Sequence, residues 1–157
     1  MPAVRFVAMP TTVAHALQAG AADANGQVSE RHISDGDGVP CRHCLTTVAA
    51  GDPYLILAYR PFAGVQPYAE CGPIFLHAEP CQRHPESEQV PALFLGVDRY
   101  LIRGYSEQER IIYGTGQIVP SSQMAECAAE LFRRPEVAYI HVRSATNNCY
   151  QCRIERA

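Results

Sequence analysis

Apolar residues along this chain come in short runs broken by glycine, proline, asparagine and aspartate, and long stretches of helical periodicity are rare. Such runs predict strands over 54–59, 73–78, 92–97, 100–103, 110–119, 137–143 and 150–155. Helical spacing holds instead over 121–134, where Met124, Cys127, Ala128, Leu131 and Phe132 share one apolar stripe. Ser121 or Ser122 stands at its N-cap and Pro135 stops it. A weaker helical pattern covers 12–19. About six or seven strands with one well-defined helix, 121–134, packed on them make an α+β fold with a mainly antiparallel sheet. A doubly wound parallel sheet would need helices between successive strands, and the pattern offers none there.

Residues 20–40 are rich in Gly, Asp, Asn and Ser without apolar periodicity, so they read as a long loop, mobile or functional, that ends at Cys41. Residues 80–91 carry three prolines and a polar run, the mark of an exposed loop. A length of 157 residues fits a single domain, 1–157, able to bury a core without staples. A metal would then pin loops or carry chemistry in a chain that has a core already.

The apolar run Phe6-Val7-Ala8-Met9 is too short for a secretory segment, and no stretch is long enough to span a membrane. A cytoplasmic location is expected, where thiols stay reduced, and an odd count of seven cysteines agrees with that. The net charge of −3 without a basic tract argues against a nucleic acid partner. All thirteen cationic side chains are arginine, scattered along the chain, so they reflect composition unless a local cluster forms.

Chemistry enters with the cysteines and histidines, bunched as Cys41-Arg42-His43-Cys44, as His77 with Cys81 and His84, and as Cys149 with Cys152. Thiolate and imidazole bind zinc, and a thiolate is also the reactive form of a nucleophilic cysteine. After Pro40, a turn can point Cys41 and Cys44 at one ion, although Leu45 stands where such turns usually carry glycine. Cys41, Cys44 and Cys81 with His77 or His84 complete a Cys3His set, and zinc is the cofactor that set implies. Cys127 on the helical stripe reads as core. Strand alternation puts Ala138, Ile140 and Val142 on the core face and sends His141 and Arg143 to the opposite face, toward a pocket or solvent. By the same rule Cys152 belongs to the core, while Cys149, after the polar loop 144–148, is the more available thiol.

The runs Pro40-Cys41-Arg42-His43-Cys44-Leu45, Pro67-Tyr68-Ala69-Glu70 and 72–78 with Cys81, then Arg103-Gly104-Tyr105, His141-Val142-Arg143 and Asn148-Cys149, occur in that order. In them the chain resembles the bacterial domain-of-unknown-function 1203 family from Pro40 onward. The resemblance implies a stand-alone domain of about this length and implies no particular activity. It places Cys44, His77, Cys81 and Cys149 in matching motifs, with Cys41, His84 and Cys152 less firmly so. It therefore favours His77 over His84 and admits Cys149 as a substitute metal ligand.

Three functional readings follow. In the first, zinc on Cys41, Cys44, His77 and Cys81 pins a binding domain, with Arg103, Tyr105, His141 and Arg143 forming a pocket for a small anionic ligand. The second is a cysteine-dependent enzyme: Cys149 the nucleophile or redox thiol, His141 its base, Arg143 an anion clamp, and Asn147 or Asn148 an orienting group. The third is a metal-free module that meets a protein partner through aromatics near Phe62 and Tyr68.

Overall fold

Five strands pair side by side in the computed structural model, which describes residues 2–157, and three more form a separate sheet. Every ladder is antiparallel, and with few helices this is an α+β fold made mainly of sheet. The elements in order are β1 (Val4–Val7), α1 (Thr11–Gln18), β2 (Glu30–Ile33), β3 (Pro53–Tyr59), β4 (Gly72–His77), α2 (Ala92–Leu95), β5 (Arg99–Tyr105), β6 (Gln117–Pro120), a 3-10 turn (Ser121–Gln123), α3 (Met124–Leu131), β7 (Tyr139–Ser144) and β8 (Tyr150–Arg156). They fall into two compact units. Unit 1 comprises the described part of Met1–Val7 with Phe62–Ala69 and Pro85–Ala157, and unit 2 comprises Ala8–Pro61 with Glu70–His84.

Unit 1 is the five-stranded sheet, in the order β1-β8-β7-β5-β6. One face carries Phe6, Ile154, Cys152, Ile140, Val142 and Ile102, all fully buried, because alternation along each strand delivers its apolar residues to one side. Met124, Ala128 and Phe132 of the helical stripe are buried too, and the two large side chains, Met124 and Phe132, each contribute roughly 1.5–3 kcal/mol through the water they shed. The helix is shorter than the sequence suggests: 121–123 wind as a 3-10 turn and α3 proper begins at Met124. Neither serine caps it, since Ser121 Oγ donates to the Val97 carbonyl instead. Cys127 is half-buried at the edge of the stripe.

Unit 2 is the three-stranded sheet β2-β3-β4 with α1 packed on β4. Its core joins Ala14 and Leu17 of α1 to Leu55, Leu57, Ile74 and Leu76 of the sheet and to Val39, Cys41 and Val48. Those last three belong to a hairpin, closed where the Cys41 and Val48 amides donate to Thr46 and Val39 carbonyls at 2.9 Å.

Three elements depart from the sequence reading. Residues 92–97, expected as a strand, start with the single helical turn α2, which Pro91 opens and Gly96 ends. A short continuous apolar run has no periodicity to tell strand from helix, and flanking residues decide. Of 110–119, only the last three residues join β6. Gly114, at φ 90°, turns the chain there, and the buried Thr115 hydroxyl accepts the Gly104 amide at 2.9 Å. Inside 20–40, expected as a loop throughout, β2 pairs with β3 despite four exposed residues. This segment is organised by side-chain acceptors, which hydrophobic patterning does not reveal. Asp23 takes the amides of Asn25, Gln27 and Ala58 at 2.9–3.0 Å, and the Ala58 amide is the main reason its carboxyl lies below the ordinary value.

Candidate metal centre

The hairpin of unit 2 brings the first two cysteines together. Its tip, 42–44, is a tight turn, and Leu45 leaves it at φ 53°, taking the left-handed conformation that glycine usually supplies. Burial of the Leu45 side chain in the core offsets the strain. The turn is fastened by its backbone: the Arg42 amide donates to the Phe75 carbonyl at 3.1 Å, the Arg42 carbonyl accepts the Met9 amide at 3.2 Å, and the His43 carbonyl accepts the His84 amide at 2.9 Å.

The other half comes from the end of β4. His77 is its last residue, and the chain then bends through Ala78, Glu79 and Pro80 to Cys81. Gln18, the last residue of α1, holds this bend by donating from Nε2 to the carbonyls of His77 at 3.0 Å and Glu79 at 3.1 Å.

One donor atom each from Cys41, Cys44, His77 and Cys81 lies within 4.8 Å of all the others. The spacing fits zinc. With Zn–S of about 2.3 Å and Zn–N of about 2.0 Å, a tetrahedron has edges of about 3.8 Å between sulfurs and about 3.5 Å between sulfur and nitrogen. Cys41 Sγ stands 3.9 Å from Cys81 Sγ, and Cys44 Sγ stands 3.4 Å from His77 Nδ1. These four side chains could therefore hold a metal ion.

Each sulfur also has a polar neighbour beside it. Cys41 Sγ accepts the His77 amide at 3.3 Å. The Cys44 thiol, then the amides of Cys44, His77 and His43, hold Cys41 below its ordinary pKa despite burial. Cys44 is pushed well above its ordinary value by sharing that proton with Cys41 and by burial, and its sulfur lies 3.1 Å from the Thr46 hydroxyl. Burial raises Cys81, whose sulfur lies 3.1 Å from His43 Nδ1. Three neighbouring thiols do not ionise together without a cation among them.

His84, the substitute ligand, contributes its backbone amide to His43 but is not among the four converging side chains. Cys149, the other substitute, belongs to the β7–β8 connection of unit 1, with its sulfur 3.8 Å from the Asn147 carbonyl and its amide on Ser144 Oγ at 2.9 Å. No hydrogen bond joins Cys149 to His141 among the described residues.

In unit 1, His141 and Arg143 do not meet solvent: they are 0% and 4% exposed. Their strand lies between β5 and β8, and the face opposite the core is covered by rings. Those of Tyr105, Tyr150, Phe62 and Tyr139 surround His141 at 4.5–5.3 Å between centroids. Arg143 donates to His141 Nδ1 at 3.2 Å, which leaves the proton of the neutral ring on Nε2, where no partner is found among the described residues. Burial first, then the charges of Arg143, Arg153 and Arg103, hold the His141 pKa well below its ordinary value. The structure brings Arg103 onto Tyr105, its guanidinium donating twice to the phenol oxygen at 2.9 and 2.7 Å, whereas Asn147 and Asn148 lie exposed in the turn.

His43 was missed by sequence reasoning. It sits between the two cysteines of the hairpin, at a position that spacing rules treat as filler, and its only signal was that it is an imidazole inside the motif.

A small α+β chain with a convergent Cys3His cluster is the class that fold and site define. The chain belongs to the family described as protein of unknown function (DUF1203), whose model matches residues 38–156. No curated protein and no solved structure matches it.

Proposed function

We propose that this protein is a zinc-stabilised binding or interaction domain in which Cys41, Cys44 and Cys81, as thiolates, and His77, through Nδ1, hold one Zn2+. The convergence of these four donors within 4.8 Å carries the reading. Softness selects the metal: three sulfurs and an imidazole suit zinc and disfavour magnesium or calcium, which take oxygen. Four protein ligands close a tetrahedron, so the ion fastens the hairpin to the end of β4 and leaves no open position for a reacting water. Cys41, Cys44 and Cys81 stand as thiols outside any disulfide, which supports a reducing setting where thiolates persist. A small anionic ligand or a protein partner remains the substrate class of this reading, with no nucleic acid and no membrane. The four expected ligand-side residues offer it less support, because the Arg103 guanidinium is already seated on Tyr105.

The test is elemental mass spectrometry on untagged protein purified without chelator, with a native thiol count. One zinc per chain, with Cys41, Cys44 and Cys81 protected from alkylation until a chelator is added, is the expected result. Metal-free protein whose three thiols react at ordinary rates would refute it.

A further inference from the structure

Among the sulfurs of the cluster, Cys81 has beside it an imidazole that is not one of the four converging donors. Cys41 receives a backbone amide, which no substitution removes, while Cys81 faces an imidazole. His43 Nδ1 lies 3.1 Å from Cys81 Sγ, and on the far side of the ring His43 Nε2 lies 2.9 Å from the Thr11 hydroxyl. The ring is wholly buried and fixed by its neighbours: His15 packs edge-on at 5.8 Å between centroids, and both main-chain groups flanking it in the turn are hydrogen-bonded.

We propose that His43 is the positioning residue for the Cys81 ligand, donating Nδ1–H to its thiolate, with the Thr11 hydroxyl donating to the Nε2 that this tautomer leaves bare. This rests on the zinc reading above. The roles follow from valence. A thiolate only accepts, so Nδ1 carries the hydrogen; the neutral ring then has a bare Nε2, which accepts from the Thr11 hydroxyl. Were the tautomer reversed, a lone pair would face the sulfur charge. His43 lies outside the set of four mutually close donors, so it acts through Cys81 and does not replace a ligand. A hydrogen bond onto a metal thiolate draws charge from sulfur, which makes it a weaker nucleophile and sets its orientation toward the ion. Thr11 is the first residue of α1, outside the family-matched 38–156, so the support of the cluster reaches into a part of the chain that the family model does not cover.

The test uses full-length protein loaded with Co2+ in place of zinc, comparing wild type with His43→Phe, His43→Asn and Thr11→Val. Asparagine can place an N–H close to where Nδ1 stands; phenylalanine fills the volume without one. Expected for His43→Phe are a thiolate-to-cobalt charge-transfer band moved to longer wavelength, faster alkylation of Cys81 in the metal-loaded protein, and metal affinity weaker by about 10-fold or more against a competing chelator. His43→Asn should recover the band position and alkylation rate, and Thr11→Val should fall between. An unchanged band and rate in His43→Phe, or an asparagine variant no better than phenylalanine, would overturn the role. If His43→Phe does not fold, as judged by circular dichroism, His43→Asn and Thr11→Val decide: a Thr11→Val protein identical to wild type in both readouts overturns it. Wild-type protein that takes up no cobalt or zinc overturns the metal reading and this role with it, an outcome distinct from a loaded wild type insensitive to His43.

Discussion

Two histidines without exposed surface, one in each unit, differ in what their nitrogens meet. His43 has a sulfur on one nitrogen and a hydroxyl on the other. His141 has an arginine on one and none among the described residues on the other, within a cage of aromatic rings. Burial by itself says little about purpose. A histidine with a hydrogen-bonding partner at each ring nitrogen is oriented by both, whereas one walled in by rings under the field of three arginines has its protonation opposed on every side.

The largest expected effect lies on the unit 2 side. Stripping zinc, with free zinc otherwise held at a thousandfold excess over its dissociation constant, should cost about 4 kcal/mol, read by urea denaturation, with amide exchange quickening over 39–48 and 77–81. Equal stability with and without chelator would break the comparison, leaving both histidines as packing. Cys44→Ser should at the same time reduce bound metal from one per chain to near none, while Cys127→Ser retains it.

Next comes the cage. His141→Ala should cost about 3 kcal/mol, because it deletes an imidazole from contact with four rings, and His141→Phe should cost less. If alanine is tolerated at no cost, the ring is not packing and its bare nitrogen needs another explanation.

A smaller effect is titration. The folded pKa of His141 is depressed, so above about pH 6.5 the ring is neutral both folded and unfolded and makes no difference. Below that the unfolded chain takes up a proton more readily than the folded one, and stability falls as pH falls. His141→Leu should lose this slope, measured as the difference between the two denaturation curves at pH 7.5 and 5.5. An unchanged slope would show that the buried ring accepts its proton in place. The smallest effect is expected at Cys149, where alanine should shift stability by less than about 0.5 kcal/mol and leave the metal content alone, since the side chain is half-buried in a polar turn.

How far residues alone foretold this molecule depended on the kind of force involved. Strands β3, β4, β5, β7 and β8 stood out, since each buries an apolar face and so carries a period. β2 did not, because its residues are exposed and it exists through backbone pairing with β3. β1 is four residues long, too short for alternation to separate from an apolar patch. The grouping of Cys41, Cys44, His77 and Cys81 could be suggested from donor type and spacing, but their meeting depends on how β4 and the hairpin pack, which involves residues more than thirty positions apart. The absence of glycine after Cys44 argued against a turn there; Leu45 accepts the left-handed backbone because the core rewards its side chain. His141 was placed on the right face of its strand, and that face is covered by aromatics from three other segments, among them Phe62, which no local pattern relates to it.

β1 lies wholly outside residues 38–156, yet it pairs with β8 along its full length, from Val4 opposite Arg156 to Val7 opposite Arg153. A fragment trimmed to the matched residues would bare the outer ladder of β8, a row of unpaired amides and carbonyls in which Ile154 has lost the cover of Phe6. Such a rim templates the addition of another chain, so the trimmed fragment should precipitate or form strand-paired dimers where the full chain does not.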